Sequence, residues 1–335
     1  MGNTIPHTIR ELEFEGPLQE PIQNFVEEKR RLGNLYNAEA YLLRELSRIA
    51  TSENCPRNVL TKELVHLWTA KKPTNSTVTH RSRCSIVRQL GQYMVRTGYD
   101  AYIASLVPIN TFKKMEFTPY IFSDDELCRF FAAIDAIQKS VHSPYQHLTF
   151  PLLFRLLYGC GLRLNEALTL KIEDVDLAQG VLSIRGTKFG KDRLVPMVPS
   201  LVTQCAAFMD SRHTLSSPKE LFLPAPDGGI YSHTAVYRRY RDTLWTAGIS
   251  YGGRSHGPRI HDFRHTFSVH CLRNWMRSGM DVENALPYLS AYLGHVNTQA
   301  THTYLRLTAE LFPEIVTKAE AFAGHVIPHL EVQDL

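Results

Sequence analysis

The chain has 335 residues, 44% of them hydrophobic and 21% charged, with a formal net charge of +4. That length accommodates two domains with cores of their own, and the composition excludes a disordered or low-complexity chain. The mild positive balance excludes neither nucleic acid nor protein partners, so the local distribution of charge matters more than the total.

The first sixteen residues read as an N-terminal extension, acidic and without the apolar centre of a signal peptide. From 17 to 105 the pattern predicts a small all-α domain. Apolar residues recur at helical spacing over 17–31 and over 37–50, where Tyr41, Leu42, Leu46 and Ile49 fall on one stripe. A short helix is predicted over 61–69 and a longer one over 76–97, stopping at Gly98. Between Arg57 and Arg96 the only acid is Glu63, set against Arg57, Lys62, Lys71, Lys72, Arg81, Arg83, Arg88 and Arg96. Such a block, with aromatic neighbours, fits a phosphate-binding face; an ordinary solvated helix face is the plain alternative. Lys71, Lys72, Arg81, Arg83 and Arg88 are the candidate DNA contacts.

Residues 106–121 lack a period, contain two prolines and read as a linker. Ser123 followed by Glu126 has the form of a capping box, so a second domain is expected over 122–335. An apolar stretch over 150–158 leads to Gly159-Cys160-Gly161, then a short helix over 166–170. Alternation over 181–185 and 193–197 around a Gly-containing turn predicts a β-hairpin. Helices are expected over 199–212, 232–247, 262–278 and 282–292, and an amphipathic one after Tyr304 through Leu311, Ile315, Ala319 and Phe322. The fold class is therefore mainly α with a small β-hairpin or sheet. No Gly-rich phosphate loop is present, so ATP is not implied, and no carboxylate set suggests a metal or other cofactor. The six cysteines (55, 84, 128, 160, 205 and 271) are scattered, without disulfide or zinc spacing. With no apolar run long enough to span a membrane, a reducing cytoplasmic location is expected.

The chemistry lies in a handful of residues. Arg163 stands in GLRLNE, His261 and Arg264 form a His-x-x-Arg, and His295 precedes Tyr304 by nine positions. Two arginines supply fixed positive charge, two histidines exchange protons near neutral pH, and a tyrosine can form a covalent ester. That set suits attack on a phosphodiester without a metal. His265, His270 and His302 read as structural histidines, and Tyr288 and Tyr292 as packing residues.

Four segments carry a resemblance. LLYGCGLRLNEALTLKIEDVDL, GTKFGKDRLVPM, HDFRHTFSVH and YLGHVNTQATHTYLRL, in that order, resemble the boxes of the tyrosine recombinase/phage integrase family. NSTVTHRSRCSIVRQLGQYMVRTGYD resembles the last helix of that family's core-binding domain. The resemblance implies a site-specific DNA recombinase that cleaves and rejoins DNA through a 3′-phosphotyrosyl intermediate, without metal or ATP. It implies Tyr304 as nucleophile and Arg163 and Arg264 as the phosphate clamp. Lys188 on the hairpin becomes the general acid, with Lys191 as the other candidate. Glu166 takes the acidic position that orients the site. Which of His261 and His295 receives the tyrosine proton is open; in the family the His-x-x-Arg histidine is the usual candidate. The resemblance further implies two domains clamping double-stranded DNA, and a homotetramer on synapsed sites linked by the C-terminal helix. The short N-terminal extension favours an Xer-like or transposon-type layout. A DNA-binding regulator that has lost catalysis and a type IB topoisomerase-like activity are the alternatives.

Overall fold

The computed structural model describes residues 13–70, 77–105, 118–186, 192–253, 257–294, 301 and 304. The chain divides into two compact units, 1–116 and 117–335.

The first unit holds four helices: α1 (Gln19–Arg31), α2 (Asn37–Ser52), α3 (Lys62–Thr69) and α4 (Thr77–Arg96). Their apolar stripes meet in one core built on Leu18, Ile22, Phe25, Leu43, Leu46, Trp68, Val87, Leu90 and Met94. Burying such side chains contributes about 1.5–3 kcal/mol each, which stabilises helices too short to persist alone in water. The Thr61 hydroxyl caps α3 by accepting the Leu64 N–H at 3.2 Å. A parallel bridge between Leu60 and Ala101 ties the chain after α4 back to the entry of α3.

The second unit opens with the capping box anticipated at Ser123 and Glu126, which starts α5 (Asp124–Asp135). Helix α6 (Gln146–Gly159) begins four residues before the apolar stretch and carries Pro151 inside it. Then come α7 (Leu164–Leu168), a 3₁₀ turn (Ile172–Asp174) and three short strands: β1 (Val175–Asp176), β2 (Val181–Ile184) and β3 (Arg193–Pro196). The sheet is antiparallel in the order β1-β2-β3, with Leu182 opposite Val195. Strand β1 is too short for its alternation to register in sequence. Helices α8 (Pro199–Arg212), α9 (His233–Thr246), α10 (Asp262–Arg277) and α11 (Val282–Leu293) complete the described elements. Phe263 of α10 lies at the centre, its ring stacked on Phe122 at 4.9 Å and edge-on to Phe130 at 5.0 Å. Packing Phe263 inward lets its neighbour Arg264 reach the turn before α7 and the end of α11. The class is mainly α with a small antiparallel sheet. No described helix is long and apolar enough to cross a membrane.

Candidate active site

The site begins with a glycine. Gly161 has φ +56, and a Cβ there would stand 2.6 Å from a carbon of the Phe267 ring. Only glycine fits both the left-handed backbone and the close approach. The turn it makes brings Arg163 to the N-cap position of α7, and its own carbonyl accepts the Arg264 guanidinium at 2.7 Å. One turn on, Glu166 folds back: its carboxylate accepts the Arg163 backbone N–H at 2.9 Å and the Arg163 guanidinium at 2.7 Å. Arg193, first residue of β3, grips both oxygens of the same carboxylate at 3.0 and 2.8 Å. Burial alone would raise the Glu166 pKa, but the hydrogen bonds from Arg193 and Arg163 overcome it and hold it at about 2.

The three guanidiniums of Arg163, Arg193 and Arg264 then catch the end of α11. Arg193 donates to the Tyr292 carbonyl at 2.9 Å, Arg264 to that of Leu293 at 2.6 Å, and Arg163 to that of Gly294 at 3.4 Å. Carbonyls at a helix C-terminus have no intrahelical donor and carry partial negative charge, so cations are favoured there. Gly294, at φ +67, leaves room for this: a Cβ would lie 3.1 Å from the Arg193 side chain. The turn leading toward Tyr304 is thereby fixed by the residues around the proposed phosphate site.

Among the described residues, three guanidiniums gather around the Glu166 carboxylate, Arg163 and Arg193 bonded to it and Arg264 to the carbonyls beside it. Arg264 is only 1% exposed. Burial, followed by repulsion from Arg163, lowers its pKa to about 10, so it remains charged at neutral pH. The Arg163 side chain keeps 30% of its surface open and is the accessible cation of the set.

Helix α10 carries two histidines of this neighbourhood, His261 and His265. His261 sits at its N-cap position, beside the fully buried Asp262, which is ion-paired to Arg259 at 3.0 Å. The residue is exposed overall. Even so, loss of hydration on the site side, then the nearby His265, Arg264 and Arg259, lower its pKa below the ordinary histidine value. The neutral imidazole is favoured over the charged form. Tyr304 is 3% exposed and packs in the cluster of Val269, Leu272, Leu289 and Leu293. Its hydroxyl lies 3.2 Å from Nδ1 of His265, and the His265 ring is in turn 4.8 Å from that of His261.

Arg163, Glu166, Arg264, His261 and Tyr304 thus belong to one neighbourhood, knitted by these contacts. Lys188, its rival Lys191, His295 and the segment 311–335 lie outside the described residues, as do Lys71 and Lys72. Two members escaped the sequence reading. His265 reads there as structural, although its placement one helical turn after His261 puts both rings on one face. Arg193 reads only as a strand residue, because nothing local signals that its partner lies 27 positions upstream.

The candidate DNA face of the first unit changes as well. Arg83 is 6% exposed, paired with Glu45 at 2.5 Å and set over the Trp68 ring at 5.6 Å. It faces inward because α4 turns that side toward α2 and α3, so it does not belong to an open phosphate-binding face. Arg88 is half-buried and donates to the Ala104 carbonyl, while Arg81 is exposed. In the second unit, α9 exposes Tyr237, Arg238, Arg241 and Trp245 at helical spacing, a cationic and aromatic stripe with no counterpart in the sequence reading.

An α-helical unit joined to an α+β unit with this Arg–His–Tyr neighbourhood defines a class, the tyrosine-type recombinases. Residues 123–310 match the model of the phage integrase family. A Sinorhizobium fredii protein named as an integrase/recombinase, y4rB, is 32% identical over 310 residues, spanning 90% of this chain and 96% of the relative. Tyrosine recombinase XerA of Thermococcus onnurineus is 28% identical over 73% of this chain and 78% of its own. Among solved structures, XerH recombinase bound to difH substrate aligns with a TM-score of 0.61 at 19% identity, covering 87% of this chain and 81% of that one. The integrase of transposon Tn1549 in complex with transposon right end DNA aligns at 0.60 and 15% identity, covering 89% and 99%. The chain belongs to the phage integrase family, and it is a tyrosine-type site-specific recombinase.

Proposed function

We propose that this recombinase cuts double-stranded DNA by direct attack of the Tyr304 hydroxyl on a phosphodiester. The product is a 3′-phosphotyrosyl link and a free 5′-hydroxyl. Because the ester is conserved, rejoining needs no ATP, and because guanidiniums supply the charge, no metal is required. Arg163, with its open surface, would contact the non-bridging oxygens. Arg264 and Arg193 would add fixed positive charge and hold the 292–294 turn. Lys188 would protonate the departing 5′-oxygen, and His261 and His295 would handle protons at the phosphate. Glu166 orients Arg163 rather than touching DNA.

The observation that carries this reading is the charge imbalance beside a buried tyrosine. In the second unit Arg163 and Arg193 share one carboxylate, Arg264 is bonded beside them to the carbonyls of Gly161 and Leu293, and the turn they hold leads to Tyr304, whose hydroxyl meets an imidazole nitrogen. A transferring phosphoryl group carries the negative charge that such a cluster lacks. Double-stranded DNA as partner is supported by the solved XerH and Tn1549 complexes, and by the exposed Arg81 in the first unit and the α9 stripe in the second. The biological role would be integration, excision, transposition or resolution, performed in the cytoplasm by a homotetramer on paired sites, with residues 17–105 binding DNA and 122–335 carrying out catalysis.

The test is a duplex with a nick placed so that cleavage is trapped. The wild-type protein should form an adduct stable in denaturing gels, and Tyr304→Phe should form none while still binding the duplex. An adduct persisting in Tyr304→Phe would remove the assignment. Replacing the 5′-bridging oxygen by sulfur should restore cleavage to Lys188→Ala, since a thiolate leaves without a proton; rescue of Lys191→Ala instead would move the general acid to Lys191. Relaxation of supercoiled DNA lacking a specific site would shift the activity toward a topoisomerase.

A further inference from the structure

We propose that His265, and not His261, receives the proton that Tyr304 loses when it attacks DNA. The inference rests on the reading of Tyr304 as nucleophile. It starts from position: Nδ1 of His265 stands 3.2 Å from the Tyr304 hydroxyl, within reach for direct transfer, and the two rings lie 5.6 Å apart. His261 meets the ring of His265 instead, perpendicular at 4.8 Å. For Nδ1 to accept, the neutral His265 ring must carry its hydrogen on Nε2.

The step balances as follows. The Tyr304 O–H bond breaks and its proton moves to Nδ1 of His265, giving an imidazolium. The tyrosine oxygen forms its bond to phosphorus as the P–O5′ bond breaks, and the departing oxygen takes a proton from the hairpin general acid. On rejoining, the 5′-hydroxyl returns its proton to the hairpin general acid's conjugate base as its oxygen bonds to phosphorus, the bond from phosphorus to the tyrosine oxygen breaks, and the phenolate recovers its proton from His265.

The surroundings suit this division of labour. Tyr304 is nearly closed to water, so its proton cannot pass straight to bulk solvent. His261 is exposed and is held neutral by its environment, so a charge arriving on His265 is not placed beside a second imidazolium. The fixed cations Arg264 and Arg259 act on His261, with Asp262 opposing them more weakly. Helix α10 thus presents two imidazoles one turn apart with different jobs: the inner one contacts the nucleophile, and the outer one is open to solvent.

The experiment measures single-turnover adduct formation on the trapped duplex across about pH 5–9 for the wild type, His265→Asn, His261→Asn and Tyr304→Phe. Asparagine keeps an acceptor oxygen near the Nδ1 position but cannot hold a proton. In His265→Asn the adduct rate should fall about 100-fold or more, and the decline at acidic pH should flatten, with duplex binding unchanged. In His261→Asn the acidic decline should persist. A His265→Asn protein with wild-type rate and profile would overturn the inference, as would loss of the acidic decline in His261→Asn alone. If His265→Asn does not melt cooperatively, nitrogen NMR of the full-length protein replaces it: the assigned Nδ1 resonance of His265 should shift when Tyr304→Phe removes the hydroxyl, and an unmoved resonance would overturn the inference. An adduct formed by Tyr304→Phe would instead defeat the underlying reading of the nucleophile.

Discussion

Each unit buries an arginine against a glutamate, and the two sites behave differently. In the helical unit Arg83 meets Glu45 and lies over Trp68, with the indole face completing the enclosure. In the α+β unit Glu166 is shared by Arg163 and Arg193, and Arg264 is held close by. The first arrangement joins α2 and α4. Among the described residues, the second gathers three guanidiniums around a single carboxylate. Concentrating like charges costs stability, and on the proposed function a bound phosphodiester would offset that cost. On the proposed function, what separates the two sites is the phosphate that one of them would bind, not the depth of burial.

The difference can be broken from the functional side first. Arg163→Ala removes the open guanidinium, and adduct formation should fall about 10²–10³-fold, as for loss of one preorganised charge donor. Duplex binding, which draws on many phosphates, should change far less. Single-turnover cleavage and a binding titration on one preparation check this; equal losses in both would make Arg163 a general DNA contact.

Glu166→Gln attacks the same cluster from its anionic side. Removing the shared carboxylate charge leaves guanidiniums facing each other, and the catalytic unit should lose about 3 kcal/mol. The pH dependence has a definite sign. The folded-state pKa of Glu166 is about 2, below its ordinary 4.5, so the unfolded chain takes up the proton first as pH falls. The contribution is complete above about pH 4.5 and is lost progressively toward pH 2. Urea unfolding of wild type and Glu166→Gln at several pH values should show the gap between them closing over that window. A constant gap would mean the carboxylate acts by shape, not charge.

Arg83→Met makes the corresponding change in the helical unit. Glu45 keeps about a third of its surface in water, so the loss should be smaller, roughly 1–3 kcal/mol. Cleavage by the folded variant, once bound, should match the wild type, because no phosphate depends on this pair. A variant that melts normally but binds DNA with a reduced salt slope would return Arg83 to the binding face.

These contrasts also show where the sequence was legible. Helices were readable where a stripe and a stop coincide: Leu42 and Leu46 mark α2, and Ser123 with Glu126 marks the start of α5. Order and spacing placed Arg163, Arg264 and Tyr304 in boxes, since a box is a local property. What pairs across the fold was not legible. Arg83 sits in a basic run and carries the same charge as Arg81, but the two are two positions apart, and so face different sides of α4. Arg193 acquires its role from Glu166 and Tyr292, which reach it only after the sheet and α11 have packed. His265 looked like a spare histidine because the side chain that gives it meaning lies 39 positions away.

The smallest effect expected is the most direct test of that last distinction within α4. Arg81 is exposed and Arg83 buried on the same helix. An exposed arginine that neutralises one phosphate releases the counterions condensed there, and the logarithm of affinity falls with that of salt by about 0.9 per contact. Arg81→Ala should therefore lower the slope by roughly one unit while leaving thermal stability within about 0.5 kcal/mol. Arg83→Met should do the reverse, costing stability and leaving the slope intact. Measuring affinity from low to moderate salt for both variants separates the two sides of one helix. Equal slopes for the wild type and Arg81→Ala would make the exposed side of α4 an ordinary solvated face and leave DNA contact to other surfaces, with the Arg238 and Arg241 stripe of α9 the next to be tested by the same measurement.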